Sequence, residues 1–393
     1  MEFFVDASIP VVEDLISINQ KLQQSDAAWG TLEYAQENME MSQDVLWYEK
    51  LGRWEEALQV WNDRAGDPDS AYDDSQIAMG KAQCLHALGE WEELSDFVQV
   101  RWTSASQDEK KLIAPLAAAA SWSLYQWDLM DDYIAAMKTE SADRNYYKAI
   151  IAVHRNQFSS AIRHITKARE RLDPELTSLT GESYGRAYDI IVRIQMLAEL
   201  EEIITYKDHA DEPERQALQR KTWSQRLEGC QRDVDVWQRI LQVRSLVLTP
   251  NEDMDTWINF ADLCRNSDRI NLAEKTLTSL VGSNSYQTMD PESRARAPPP
   301  VIFAYFRLAW AKGASEGRKD ERLETLQYLR DFTIQLSEDI GVGQRDNIGQ
   351  LVLPDTKLFG EYTKLLARCH VELGKWQAQL RGDDPRVSLA ERT

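Results

Sequence analysis

Seven cations from Arg186 onward could do chemistry if the fold gathered them: Arg186, Arg220, Lys221, Arg269, Arg307, Lys312 and Lys364. Arginine supplies forked N–H donors and lysine a compact point charge, and several together would hold a polyanion. Scattered through the sequence, they would otherwise be ordinary surface charge. The five histidines are less promising. His154 and His164 lie ten residues apart with no cysteine or carboxylate at metal-ligand spacing, so His86, His154, His164, His209 and His370 read as helix-surface side chains with no metal site.

Catalysis has no foothold. The triplet His-Arg-Asn at His154–Asn156 has asparagine where a kinase catalytic loop needs aspartate, and no Asp-Phe-Gly follows. The run GVGQRD from Gly341 lacks a third glycine and follows no strand pattern. Acidic neighbours such as Asp131–Asp132 and Glu201–Glu202 do not share a helix face. The four cysteines form no C-x-x-C pair and sit beside apolar residues, as free buried thiols in a reducing compartment would.

Any site must be positioned by helices. The run Val11, Val12, Leu15, Ile18 and Leu22 predicts one apolar helix face, and Ala273, Leu277 and Leu280 predict another. Alternating strand-length runs are nearly absent, so the chain reads as all-α. The helices also repeat. Leu-Gly-x-Trp occurs at Leu51–Trp54, Leu88–Trp91 and Leu373–Trp376, and the aromatics Trp54, Trp91, Trp127 and Phe158 follow at intervals of 37, 36 and 31 residues. That spacing suits hairpins of two helices, the tetratricopeptide-like length, stacked into an α-solenoid of tetratricopeptide/HEAT-like repeats.

In this reading the glycine stops one helix in the left-handed conformation, and the aromatic opens the next and packs back. The tetrapeptide is then an architectural mark rather than a pocket motif, and its third letter (Arg53, Glu90 or Lys375) faces water. The thirteen tryptophans are not interleaved with cations, so they read as packing anchors rather than base-stacking platforms. The organisation predicted is a helical array over 1–281, a Pro/Ser-rich loop over 282–300, and a continued array over 301–382. An insertion falls at 339–355, the tail 383–393 is polar, and a charged turn spans Lys207–Arg215.

Lys and Arg number 45 against 65 Asp and Glu, for a net charge of −20. Nucleic acid and anionic membrane surfaces share that sign, so neither is an expected partner, although a local basic pocket is compatible with an acidic whole. With no signal-like start and no apolar run of membrane-spanning length, the chain reads as a soluble intracellular protein without a transmembrane segment.

Longer words carry more. LISINQKLQQSDAAWGTLEYA (Leu15–Ala35), WYEKLGRWEEAL (Trp47–Leu58), CLHALGEWEEL (Cys84–Leu94), LTSLTGESYGRAYDIIV (Leu176–Val192), RLEGCQRDVDVWQRILQVRSLVLTPNEDMDTW (Arg226–Trp257) and YTKLLARCHVELGKW (Tyr362–Trp376) resemble the FAT domain of the target-of-rapamycin serine/threonine protein kinases. The resemblance runs from about Leu15 to Trp376. It implies a non-catalytic α-solenoid that clamps the kinase domain of the same parent chain and docks the subunits and regulators of a TOR complex. It also implies a cytoplasmic setting, including the vacuolar or lysosomal surface, and nutrient and growth signalling.

The same resemblance implies an inositol hexakisphosphate site, a structural ligand rather than a required cofactor, on Arg186, Arg220, Arg269, Lys312 and Lys364. Asn266 stands where the family pattern has a lysine, and the segment from Ala314 to Pro354 departs from that pattern. The alternative, from a different class, is a free-standing tetratricopeptide-like adaptor that docks peptides in its concave groove.

Overall fold

The computed structural model describes residues 11–12, 14–19, 24–38, 45–65, 72–281, 297–315, 317–341 and 357–382. All regular structure among them is helical. Residues 282–296 of the predicted loop, most of the 339–355 insertion and the tail after 382 lie outside the described residues. The chain divides into two compact units. Unit 1 comprises residues 1–231 and 235–247, and unit 2 comprises 232–234 and 248–393.

Unit 1 contains α1 (Ser25–Asn38), α2 (Val45–Lys50), α3 (Trp54–Ala65), α4 (Asp74–Leu88), α5 (Trp91–Trp102) and α6 (Gln107–Ser123). It continues through α7 (Trp127–Ala136), α8 (Ala142–His154), α9 (Phe158–Thr180), α10 (Tyr184–Asp208), α11 (Pro213–Glu228) and α12 (Val234–Arg244). From α3 to α10 each helix packs on its neighbour in sequence. Several also touch the next but one, as α4 does α6 and α8 does α10, which is the contact pattern of stacked hairpins.

The first helix of a hairpin is often capped by a side chain. Asp73 accepts from the Gln76 N–H at 2.7 Å in a capping box, and Ser106 and Ser141 do the same for Glu109 and Arg144. The aromatic-led helices α5, α7 and α9 have no such cap. Their entry is set by the turn before them. Gly52 (φ 72°) and Gly89 (φ 71°) are left-handed, and the next N–H reaches back to the carbonyl five residues earlier, Arg53 to Tyr48 at 2.9 Å and Glu90 to Leu85 at 3.0 Å. Where glycine is missing the same turn persists. Tyr125 (φ 57°), Asn156 (φ 55°) and Asp268 (φ 61°) take the left-handed position, followed by Gln126 to Ser121, Gln157 to Ala152 and Arg269 to Cys264.

The third Leu-Gly-x-Trp does something else. Gly374 lies inside the last helix, Lys357–Gly382, so it is no helix stop. What survives is the anchor: Trp376 stacks flat on Trp310, centroids 4.4 Å apart and planes within 2°. The third letter is also less free than its change of sign suggests. Arg53 lays its guanidinium over the Trp29 ring at 4.4 Å and pairs with Glu56, whereas Lys375 is exposed and pairs with Glu372.

The N-terminal helical segment buries a different face from the one predicted. Val12 and Ile16 are in the core, while Val11, Leu15 and Ile18 are about half exposed. Val12 and Ile16 are four apart and meet Leu32 and Ala35 of α1, and the competing stripe is left outside that contact. All thirteen tryptophans are buried or half-buried, in keeping with packing anchors. Gly80 of α4 is required by one of them, because a Cβ there would collide with the Trp61 ring.

Unit 2 contains α13 (Met254–Asn266), α14 (Ile270–Val281), α15 (Pro299–Ser315), α16 (Lys319–Ile340) and α17 (Lys357–Gly382), again packed in sequence. Ala273, Leu277 and Leu280 are buried on α14 as their spacing predicts. The last two of the three prolines expected in a loop instead open α15, where proline's missing N–H costs nothing. The core of this unit joins Ile302, Phe303 and Phe306 to Leu329, Leu336 and Cys369.

Candidate functional site

The predicted cations are distributed over both units. In unit 1, Arg186 stands exposed in the first turn of α10 and pairs with Glu182 at 2.9 Å. Arg220 of α11 donates to the Tyr206 hydroxyl at 3.5 Å, so these two share no partner. In unit 2, Arg269 closes the left-handed turn before α14, Lys312 of α15 pairs with Glu274 at 3.1 Å, and Lys364 is exposed on α17.

Unit 2 adds one residue that sequence reasoning does not find. Asp262 faces two guanidinium groups, Arg307 at 2.5 Å and Arg265 at 3.5 Å. Burial, and then the neighbouring Arg307 charge, push the Arg265 pKa down. Asp262 is thus shared between two arginines, and the Glu372 carboxylate also acts on Arg265. Nothing in the spacing of Arg265 flags it, since it belongs to the same helical turn as Asp262 and reads as an ordinary surface pair.

A second site lies in unit 1, in a cavity of about 610 Å³ lined by helices from α2 to α12. Two of the architectural tryptophans, Trp54 and Trp91, form part of its wall, so the repeat mark and the pocket coincide there. The helices supply their lining residues by periodicity. On α10, Arg193, Met196 and Leu197 fall on one stripe, and on α12, Asp235, Gln238, Arg239 and Gln242 do the same. The rest of α12 is core, with Val236, Trp237, Ile240, Leu241 and Val243 buried. A polar stripe that would ordinarily face solvent thus faces the cavity.

The wall's electrostatics follow from the burial of its groups. His86 is not a surface histidine. Its ring lines the cavity edge-on to Trp91 at 5.4 Å, and burial, with the Arg239 guanidinium second, pushes its pKa down to about 4. Tyr146 and Tyr147, adjacent on α8, have phenol pKa values raised chiefly by burial, and both feel Arg193 and Arg239. Arg193 pairs with Asp143, and Arg239 with Asp189 at 2.8 Å. The Tyr146 hydroxyl and the Trp54 indole N–H are buried without a hydrogen-bond partner.

The other groups the sequence singles out sit in packed positions. His154 stacks on Trp127 with centroids 3.8 Å apart, and the Asn156 of the His-Arg-Asn triplet is a helix-ending residue. Cys84 and Cys369 are buried and their thiols pushed up to about 12 by burial, far from a reactive thiolate. Among the described residues no group of histidine, cysteine and carboxylate side chains could hold a metal ion, and no helix is long and apolar enough to cross a membrane.

Comparison with known proteins places this architecture. The FAT domain family matches residues 114–391. The chain is 43% identical over 388 residues to the serine/threonine-protein kinase TOR2 of Saccharomyces cerevisiae, covering 97% of this chain and 15% of that protein. It is 41% identical over 387 residues to tor1 of Schizosaccharomyces pombe, covering 98% and 16%, and 36% identical over 391 residues to TOR of Arabidopsis thaliana, covering 94% and 15%. The chain therefore spans about 15% of the length of these relatives.

Proposed function

The chain belongs to the FAT domain family, and from that premise we propose that it is the regulatory and scaffolding segment of a target-of-rapamycin serine/threonine kinase. In this role it clamps the kinase domain of the parent chain and presents helical surfaces to complex subunits. The observation that carries the reading is the extent of the similarity: 97% of this chain against 15% of a kinase, with the FAT domain match over residues 114–391. The phosphotransfer chemistry is assigned to the parent's kinase domain. The test is co-purification of the chain with that kinase domain expressed separately, together with a phosphorylation assay of the chain alone. Binding without phosphorylation supports the proposal; phosphorylation of a protein substrate by the purified chain alone overturns it.

Inositol hexakisphosphate is the proposed ligand of the cations. In unit 2, Arg269, Lys312 and Lys364 are the binding residues, and the Arg265 and Arg307 guanidinium groups beside Asp262 add further donors in the same unit. Arg186 and Arg220 of unit 1 are tested by themselves. Addition of inositol hexakisphosphate should raise the melting temperature, since a ligand that binds only the folded state stabilises it. The Lys312→Ala/Lys364→Ala variant should lose the shift. A shift that survives both this change and Arg186→Ala/Arg220→Ala removes all four from the site.

A further inference from the structure

The cavity of unit 1 is lined by apolar rings and by both signs of charge, Lys50, Arg193 and Arg239 against Glu49, Asp143 and Asp235. Its apolar surface is mostly ring and branched carbon, with Trp54, Trp91 and Trp122 joined by Leu116, Leu172 and Leu197. Its polar surface is rich in donors that have nothing to donate to. Arg193 spends one N–H on Asp143, and Arg239 spends two, on Asp189 and the Asp235 carbonyl. The other donors of both forks are uncommitted among the described residues. The Tyr146 hydroxyl and the Trp54 N–H are unpartnered as well.

The three carboxylates, by contrast, are engaged. Asp143 holds Arg193, Glu49 accepts from the Trp61 N–H at 2.7 Å, and Asp235 has an interaction of its own. A cavity of this size holds a small organic ligand, for which about 300–1,000 Å³ is usual. The unpartnered Tyr146 hydroxyl and Trp54 N–H and the spare arginine donors suit a ligand that brings acceptors, and the rings suit one with an apolar body.

We infer that the cavity binds a small amphipathic organic anion, an aromatic or branched apolar body bearing one oxyanion group. The oxyanion faces Arg193, Arg239 and the two tyrosine hydroxyls, and the body lies against the tryptophans. Arg193 on α10, Tyr146 and Tyr147 on α8 and Arg239 on α12 would then be tied together through one ligand.

The experiment uses the whole chain and two fluorescent probes with nearly the same body, anilinonaphthalene sulfonate and the uncharged N-phenylnaphthylamine. The sulfonate should saturate a single site and bind at least about tenfold tighter than the neutral probe, the difference being the charge-assisted hydrogen bonds. Arg193→Gln/Arg239→Gln should bring the sulfonate down to the neutral probe's affinity. Tyr146→Phe/Tyr147→Phe, which keeps ring packing and both cations, should weaken the sulfonate about threefold or more and leave the neutral probe unchanged. Ala142→Phe should fill the cavity and remove both probes while leaving both arginines in place. Helicity by circular dichroism establishes that each variant is folded. Equal affinity for the two probes overturns the inference. So does unchanged sulfonate binding in folded Ala142→Phe or in either double variant, since the dye would then sit elsewhere on the surface.

Discussion

At the scale of single residues, two enclosed groups make measurable demands on the fold. His86 keeps its neutral form down to about pH 4 in the folded chain, against an ordinary value of 6.5. Above pH 6.5 neither state is protonated there, and stability is intact. As the pH falls from 6.5 toward 4, the unfolded chain gains a proton that the folded chain refuses, so stability is lost, up to about 3 kcal/mol from this group. His86→Gln should flatten the urea-unfolding curve of stability against pH across that window; an unaltered slope would place the pH sensitivity elsewhere. The second group is the buried pair Glu199–Arg244, fully enclosed and joined by two hydrogen bonds of 2.9 Å. Arg226 completes a ladder to Glu202 at 2.8 Å, and Trp223 donates to the same Glu202 at 2.7 Å. Removing one partner strands the other without water, so Glu199→Ala should cost about 3–5 kcal/mol. Glu199→Leu with Arg244→Met should recover at least half of that, since both buried charges leave together. Denaturant midpoints for the single and double variants decide it.

At the scale of elements, one tetrapeptide carries two structural meanings. Gly89 has a left-handed backbone, and Gly374 is an exposed residue inside α17 where an added methyl group would meet nothing within 4 Å. Gly89→Ala should therefore destabilise by about 1 kcal/mol and Gly374→Ala should stabilise by about 0.5–1 kcal/mol. Tyr125→Gly should also stabilise, because tyrosine holds a left-handed φ of 57° at the equivalent turn. Thermal midpoints moving together for the two alanine variants would mean that the two glycines share one conformation after all. The hairpin rhythm is legible in the sequence because Trp54, Trp91, Trp127 and Phe158 each open a helix at the mid-thirties interval. Gly374 is not, because glycine's tolerance of left-handed backbone does not forbid it from a long helix that neighbours hold in place. The cavity is illegible for a different reason. Its wall joins Trp54 to Gln242, and the polar stripe Asp235, Gln238, Arg239 and Gln242 has the same periodicity whether it meets solvent or an interior. Only the path of the intervening helices decides which.

At the scale of the whole molecule, charge outweighs any individual pair. With 65 acidic against 45 basic residues, the folded chain compresses a net −20, and self-repulsion opposes compactness. Exposed pairs such as Lys111–Asp108 and Arg186–Glu182 pull the other way, but each is weak and weakens further in salt. Screening should act more strongly on the sum of repulsions than on these short contacts, because the Debye length falls to about 8 Å near physiological ionic strength while the pairs meet at under 3 Å. The melting temperature should therefore rise, by about 2 °C or more, as sodium chloride goes from about 0.02 M to about 0.3 M. Each unit has its own hydrophobic core, so the transition is to be followed separately in each rather than fitted as one two-state step. Trp61 reports from unit 1 and Trp310 from unit 2 when the remaining tryptophans are replaced by phenylalanine in a folded background. A melting temperature that falls with salt in both units would mean that the ion pairs, rather than the excess of carboxylates, set the electrostatic balance of the array.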